Sequence, residues 1–164
     1  MEVVEGDLWD FYDQGFYVVI PTNLTVGRGG EAVMGRGVAQ QAAVRFPKLA
    51  RGYATALRAK DNFKIFHEQR LVMFPVKDHW RDPADLEILR HSCEALRAEA
   101  AHLWGPRVAL PLVGCGFGEL KEVQVHPLLE LYLPHPCFTL VRRGDAVKAR
   151  YPRSFTPGAR KDVS

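Results

Sequence analysis

Continuous apolar runs alternate along the chain with segments of helical character. The runs are rich in β-branched and aromatic residues, which is typical of strands buried on both faces. Strands interleaved with helices predict an α/β fold, here a three-layer α/β/α sandwich with a mixed, largely parallel central sheet. The predicted strands cover residues 16–20, 71–74, 108–112 and 138–141.

One helix is marked more clearly than the others. Apolar residues recur at spacings of three and four from Leu86 to Leu103 and form a single stripe on a helix. Asp82 is expected to cap this helix and Pro83 to occupy its first turn, as their residue types favour. Shorter helices are predicted over residues 8–12, 38–46 and 47–57, and from Pro127 onward.

Length and composition exclude several classes of protein. A chain of 164 residues, 47% apolar and 25% charged, suits one globular domain. It has no apolar run near the ~20 residues that cross a bilayer, and it does not begin with a secretory signal. Its three cysteines show no zinc-ligand spacing. We therefore expect a cytoplasmic monomer that contacts no membrane and uses neither a metal nor another cofactor.

The net charge of +3 is confined to the end of the chain. Residues 145–164 hold five of the 22 basic and two of the 19 acidic side chains, which leaves 17 of each in residues 1–144. This division predicts a domain over residues 1–144 and a basic, flexible tail over residues 145–164. The neutral body gives no support for broad binding of a phosphate backbone, although it can carry a local positive groove.

Two glycine-rich loops, residues 27–37 and 114–118, each follow a predicted buried strand and precede a helical segment. Ligands of open α/β sheets bind beyond the carboxyl ends of the strands, where glycines let backbone N–H groups approach an anion. The two loops could clamp a diphosphate, or they could simply form turns. A P-loop is excluded because the Gly-Lys-Ser/Thr ending is absent. Gln40 stands where a dinucleotide-binding fingerprint has its third glycine.

Four segments resemble, in the right order, motifs of the macrodomains, a family that binds ADP-ribose. They are Gly-Asp-Leu at residues 6–8, Ile-Pro-Thr-Asn at 20–23, and residues 33–39 and 112–118, which resemble the family's first and second phosphate-binding loops. The resemblance implies the macrodomain fold and ADP-ribose as the ligand. The ADP-ribose-binding residues that it implies are Asp7, Leu8, Thr22, Met34, Gly35, Arg36, Gly37, Val38, Gly114, Cys115, Gly116, Phe117 and Gly118.

Within the macrodomains, the Met-Gly-x-Gly and Gly-Cys-Gly forms resemble one branch. It includes the terminal ADP-ribose protein glycohydrolase and the antitoxin that removes ADP-ribose from DNA. The antitoxin's lysine segment is similar to residues 74–81, which implies that Lys77 is catalytic and that Asn23 orients the distal ribose. The protein-directed relative has an acid where this chain has Gly118, and Glu119 comes one residue later. That departure favours the DNA-directed form.

A second departure from the family pattern lies in the first loop. The stretch at residues 28–32 is longer than the corresponding part of the antitoxin's loop. We expect it to reshape the floor of the pocket for the distal ribose.

The chemistry of the catalytic candidates leaves alternatives open. A partly desolvated Lys77 has a lowered pKa, and its neutral amine can attack the anomeric carbon of an opened ribose. The alternative is a surface lysine in the charged segment 77–85. Asn23 can fix ribose hydroxyls or cap its own loop by an Asx-turn.

The other candidates also have two possible roles. Asp7 can cap the helix over residues 8–12 while its second oxygen stays free for the ligand. Phe117 can stack beside the distal ribose or pack inward. The cluster at residues 79–81 can stack a nucleobase or form the entry to the following helix.

These features predict a de-ADP-ribosylating hydrolase that acts on a modified macromolecule, either DNA or protein, with DNA bases favoured. Two alternatives remain open: a reader that binds ADP-ribose without turnover, and a phosphatase that acts on ADP-ribose 1''-phosphate.

Overall fold

The computed structural model describes residues 1–100, 102, 105 and 107–150. The described residues form a six-stranded sheet flanked by helices. In chain order the elements are β1 (Glu2–Glu5), α1 (Leu8–Asp13), β2 (Tyr17–Thr22), α2 (Gly37–Arg45), α3 (Leu49–Arg58), β3 (Lys64–Phe66), β4 (Leu71–Pro75), α4 (Leu86–Ala100), β5 (Val108–Leu110), α5 (Glu122–Tyr132), β6 (Phe138–Arg142) and α6 (Asp145–Arg150).

The strands lie in the order β1-β6-β5-β2-β4-β3. All neighbouring pairs are parallel except β3 and β4, so the sheet is mixed and largely parallel, as the sequence predicts. Strand β2 lies between β4 and β5, with Val18 opposite Leu71 on one side and Ala109 on the other. The carboxyl ends of the five mutually parallel strands therefore share one edge of the sheet.

The side chains of the central strands alternate between two cores. Val18 and Ile20 pack in a cluster with residues of α1, α2 and α3, whereas Val19 packs in a second cluster with residues of α4 and α5. All three side chains are fully buried. Successive strand residues point to opposite faces, so a run that is apolar at every position produces two cores and three layers.

Helix α4 begins later than the sequence predicts. Its first residue is Leu86, and the capping carboxylate belongs to Asp85, whose Oδ1 accepts from the backbone N–H groups of Glu87 (2.8 Å) and Ile88 (3.2 Å). The expected cap, Asp82, instead donates its backbone N–H to the carbonyl of His79 within the preceding turn (3.0 Å). The predicted end of the apolar stripe, Leu103, lies outside the described residues.

The prediction that a helix starts at Pro127 is wrong, because α5 runs from Glu122 to Tyr132 with Pro127 inside it. Pro127 is exposed, and so is Val123, the residue whose carbonyl loses its helical partner to the proline. Water can satisfy that carbonyl, which lets the helix continue. Of the helices in the described part of the chain, none combines the length and hydrophobicity that crossing a bilayer requires.

Three short elements carry no signal that the sequence analysis recognised. Strands β1 and β3 are edge strands with partly exposed residues, so they lack the apolar runs of the central strands. The third is α6, which forms within the segment expected to be a flexible tail. Residues 151–164 of that tail lie outside the described residues, and the boundary at residue 144 stays a prediction.

Candidate functional site

A cleft of about 930 Å³ opens at the carboxyl edge of the parallel strands. Residues at or just beyond the ends of β1, β2, β4, β5 and β6 line it, together with both glycine loops. Its volume lies within the ~300–1,000 Å³ typical of small-molecule sites. The cleft therefore lies where an α/β sheet of this kind binds ligands.

The fold brings nearly all the sequence-predicted site residues to this cleft. The exception is Met34, which is buried in the core beside α2 and α3 and is not among the cleft-lining residues. The predicted residues that line the cleft are Asp7, Leu8, Thr22, Asn23, Gly35, Arg36, Gly37, Val38, Lys77, Gly114, Cys115, Gly116, Phe117 and Gly118.

The first glycine loop leads directly into helix α2. Arg36 is the N-cap residue in an extended conformation, and Gly37 follows with a φ of +57°, a value that favours glycine. A Cβ at Gly37 would lie 3.6 Å from the ring of Phe117 in the second loop. The first N–H groups of a helix have no partner within it, so this end of α2 can donate to an anion in the cleft.

The second loop closes tightly on itself. The carbonyl of Gly114 accepts from the backbone N–H of Leu120 (2.9 Å), and the carbonyl of Gly118 accepts from that of Ala84 (2.8 Å). A Cβ at Gly118 would lie 2.5 Å from the Gly114 carbonyl oxygen and 2.8 Å from the Ala84 Cβ. The loop in this conformation therefore has no room for a side chain at residue 118, and it would have to shift to accept one.

The carboxylate nearest to residue 118 in this loop belongs to the next residue, Glu119. Glu119 has a left-handed backbone with a φ of +67°, which is uncommon for a residue other than glycine. Together with Lys77, it lines a smaller pocket beside the main cleft. The fold thus brings Glu119 close to Lys77.

Asn23 follows β2 and makes both hydrogen bonds expected of a loop cap. Its Oδ1 accepts from the backbone N–H of Thr25 (2.9 Å), and its Nδ2 donates to the carbonyl of Val33 (2.9 Å). The first bond is the Asx-turn that the sequence left as an alternative. An amide has two N–H donors and two oxygen lone pairs, so one of each remains for a ribose.

The preceding residue, Thr22 at the end of β2, is held by a hydrogen bond to Tyr53 in α3. The Thr22 hydroxyl lies 3.0 Å from the hydroxyl of Tyr53, which in turn donates to the carbonyl of Asn62 (2.6 Å). Burial raises the pKa of Tyr53, so its hydroxyl keeps its proton. This chain of bonds holds the strand end that carries Asn23.

Asp7 occupies the far end of the cleft and caps α1 as predicted. Its Oδ1 accepts from the backbone N–H of Trp9 (3.0 Å). The expectation that its second oxygen stays free is wrong: Oδ2 lies 3.3 Å from Nη1 of Arg150 in α6. Sequence reasoning missed Arg150 because it is 143 residues away and lies in the segment expected to be flexible.

Lys77 lies two residues beyond β4, half-buried between the cleft and the smaller pocket. Burial lowers its pKa, and repulsion from the Arg36 guanidinium lowers it further, while Glu119 and Asp82 act in the opposite direction. The partial desolvation expected from the sequence is therefore present. A lysine with a lowered pKa has a larger neutral, nucleophilic fraction near neutral pH.

The cysteines offer no comparable nucleophile. Burial raises the pKa of the Cys115 thiol, which keeps it protonated at neutral pH. Cys93 lies in the core, where burial raises its pKa to about 12. Among the described residues there is also no cluster of three or more His, Cys, Asp or Glu side chains able to hold a metal ion.

The stretch at residues 28–32 does not reshape the cleft, contrary to expectation. None of its residues is among those lining the cleft. It forms a turn in which Gly27 donates to the carbonyl of Glu31 (2.8 Å), and Ala32 then donates to the carbonyl of Ala50 in α3 (2.9 Å). These bonds hold the extra residues against α3, outside the lining of the cleft.

Comparisons with known proteins identify the fold. The macrodomain of Thermus aquaticus DarG is 25% identical, with a TM-score of 0.68 over 87% of this chain and 97% of that one. The macrodomain of Mycobacterium tuberculosis DarG is also 25% identical, with a TM-score of 0.70 over 87% and 95% of the two chains. The chain therefore has the macrodomain fold, and among macrodomains it is similar to those of DarG, as its motifs predict.

A longer protein is also similar. A fusion of a DNA ADP-ribosyl transferase and a DNA ADP-ribosyl glycohydrolase from Thermosipho africanus is 24% identical over an alignment of 158 positions that covers 81% of this chain. The match spans 39% of the length of that curated relative. The structure of Thermosipho africanus DarTG in complex with ADP-ribose has a TM-score of 0.72 at 20% identity, over 88% of this chain and 41% of that one. No family model matches the chain.

Proposed function

We propose that this protein binds ADP-ribose in the main cleft and hydrolyses ADP-ribosyl adducts, with modified DNA bases as the favoured substrates. The observation that carries the proposal is the position of Lys77, half-buried where the main cleft meets the smaller pocket. A bond between the distal ribose and its carrier would cross this boundary. The similarity to DarG macrodomains, and to a relative whose name includes a DNA ADP-ribosyl glycohydrolase, supports it.

ADP-ribose would lie along the cleft with its adenine at the Asp7 end and its distal ribose at the Lys77 end. Asp7 marks the end for adenine, and the backbone N–H groups at the start of α2 and in the second loop would hold the pyrophosphate. Asn23 would orient the distal ribose with its remaining donor and acceptor. This order places the anomeric carbon next to Lys77.

Lys77 then provides the nucleophile. The distal ribose first opens, as the bond between its ring oxygen and the anomeric carbon breaks and the oxygen takes up a proton from solvent. The neutral amine then adds to that carbon, the bond from the carbon to the carrier breaks, and the carrier leaves with the proton that the amine gives up. Water next cleaves the bond between lysine and ribose, which frees ADP-ribose and restores the amine. No metal enters these steps.

The crowding at Gly118 supports DNA as the carrier. The protein-directed relative has an acid at this position, and here a Cβ would meet a backbone oxygen at 2.5 Å. The second loop could not accept that acid without moving. A substrate whose release depends on it is therefore disfavoured.

Parallel incubation with ADP-ribosylated DNA and ADP-ribosylated protein tests the proposal. We expect the DNA to lose its label, and Lys77→Ala to slow release at least about a thousandfold, as the loss of a nucleophile does. Its affinity for ADP-ribose should stay within about tenfold, or ~1.4 kcal/mol, of the unaltered protein.

Three results would contradict the proposal. Release at an unchanged rate by the Lys77→Ala variant would remove lysine from the mechanism. Binding of ADP-ribose by the unaltered protein without release from either substrate would instead identify a reader. Release of phosphate from ADP-ribose 1''-phosphate would identify the phosphatase.

A further inference from the structure

Beside the main cleft lies a second cavity of about 350 Å³, which we call the side pocket. It is lined by Arg36, Lys77, Trp80, Arg81, Phe117 and Glu119. Four of these residues line the main cleft as well, whereas Arg81 and Glu119 line only the side pocket. Lys77 therefore has one cavity on each side, and the ADP-ribose proposed above fills only the main cleft.

The side pocket carries a distinctive pairing of aromatic rings with guanidinium groups. The Cζ of Arg81 lies 4.8 Å from the ring centroid of Trp80, and that of Arg36 lies 5.2 Å from the ring centroid of Phe117. Aromatic rings and guanidinium planes both stack on nucleobases, while the same guanidinium groups attract phosphate. Three cationic side chains against one carboxylate give the pocket a local excess of positive charge, although the body of the protein is neutral.

Hydrogen bonds within the protein hold the Trp80 segment in place. The backbone N–H of Trp80 donates to Oγ1 of Thr25 (3.1 Å), and the carbonyl of Asp78 accepts from the backbone N–H of Leu24 (2.9 Å). The ring of His79 stacks on Trp80 with centroids 5.8 Å apart. Bonds to the loop that follows β2 therefore tie this wall of the side pocket to the Asn23 end of the main cleft.

We propose that the side pocket binds the nucleotide to which ADP-ribose is attached, with Trp80 and Arg81 as determinants of specificity for nucleic acid. This inference rests on the proposed function, because it assigns the group that lies on the far side of the bond to be broken. The base stacks within the pocket on the Trp80–Arg81 pair, and Arg81 approaches the adjacent phosphate. Glu119 accepts from an N–H group of the base.

Binding in a Lys77→Ala background, where the substrate should stay intact, tests this assignment. Fluorescence anisotropy would compare ADP-ribose, a short ADP-ribosylated oligonucleotide and an ADP-ribosylated peptide, with release of label monitored in the same samples. We expect the oligonucleotide to bind at least about tenfold more tightly than ADP-ribose, as stacking of one base on an aromatic residue predicts. The peptide should gain little over ADP-ribose.

Substitutions within the pocket identify the residues responsible. Arg81→Gln should remove most of the oligonucleotide's advantage, reduce its salt dependence by about one phosphate contact and leave ADP-ribose affinity within about twofold. Trp80→Phe should keep more of the advantage than Trp80→Ala, since it keeps a ring. Arg97→Gln is the matched control, because Arg97 is an exposed arginine on α4 that lines neither cavity.

The results separate this inference from the proposed function. An oligonucleotide that binds no more tightly than ADP-ribose, or an Arg81→Gln variant with the full advantage, would overturn the side-pocket assignment even if release from DNA is confirmed. An equal gain for the peptide would overturn its specificity for nucleic acid. Failure of ADP-ribose itself to bind, or release in the Lys77→Ala background, would instead count against the proposed function.

Discussion

The two ends of the main cleft hold their key charged groups in different ways. At one end, each oxygen of the Asp7 carboxylate has a partner, one at the start of α1 and the other on Arg150. At the other end, Lys77 is half-buried and repelled by Arg36. The first arrangement fixes the position of a carboxylate and suits recognition, whereas the second disfavours the charged form of a lysine and suits chemistry.

Apart from the loss of Lys77 itself, the largest expected effect comes from Gly118, which lies in the second loop. Gly118→Ala places a Cβ 2.5 Å from the carbonyl oxygen of Gly114, so the second loop must shift. We expect the free energy of unfolding to fall by about 1–3 kcal/mol, as overpacking does, and ADP-ribose affinity to fall with it. Denaturant unfolding and calorimetry would measure the two changes.

The chain offers a matched control within the same loop. A Cβ at Gly116 would meet no atom within 4 Å, so Gly116→Ala should leave the free energy of unfolding nearly unchanged. Equal destabilisation by both substitutions would show that close approach at Gly118 is not what constrains this loop.

Arg36→Gln tests how a neighbouring positive charge affects Lys77, and we expect a smaller effect than that of Gly118→Ala. Burial, the largest cause of the lowered Lys77 pKa, remains in this variant, but the repulsion from Arg36 is lost and the pKa rises. The neutral amine then forms only at higher pH. We expect the rising limb of the pH–rate profile for release to move to higher pH, and the rate near neutral pH to fall by about threefold to tenfold.

The position of that limb distinguishes catalysis from binding. If Arg36 only held the pyrophosphate, its removal would raise KM and leave the limb of kcat where it is. Arg97→Gln, a change of the same kind on the surface of α4, should move neither quantity.

The smallest expected effect is at the Asp7 end. Arg150→Ala removes the 3.3 Å contact to Asp7, and Arg150 is 60% exposed, so the pair contributes at most about 1 kcal/mol. Removing this competing positive charge should tighten ADP-ribose binding by about threefold at low salt, and high salt should reduce the difference. Calorimetry at two salt concentrations would test this, and weaker binding would show that Arg150 contacts the ligand instead.

The sequence predicts the parts of the fold that depend on local pattern. The apolar run through Val18, Val19 and Ile20 identifies a central strand because every position is buried on one face or the other. Strand β1 has no such run, since it lies at an edge of the sheet. Its place depends on a partner near the other end of the chain, which no local pattern indicates.

The sequence also predicts only those parts of the candidate site that depend on local pattern. Glycines and their neighbours mark both loops, and all but Met34 of the predicted site residues line the cleft. Met34 has an apolar side chain that packs in the core, while the glycine after it lines the cleft. The contact between Asp7 and Arg150, and the closeness of Arg36 to Lys77, arise only when distant segments meet.

The register of β1 on β6 has a consequence for the order of assembly. Glu2 pairs with Thr139 and Glu5 with Arg142, so β1 has no place in the sheet until β6, more than 130 residues later, has been made. Asp7 follows β1 by two residues. During synthesis, the Asp7 end of the cleft therefore forms only after β6 is made, whereas β2 and β4 can pair earlier.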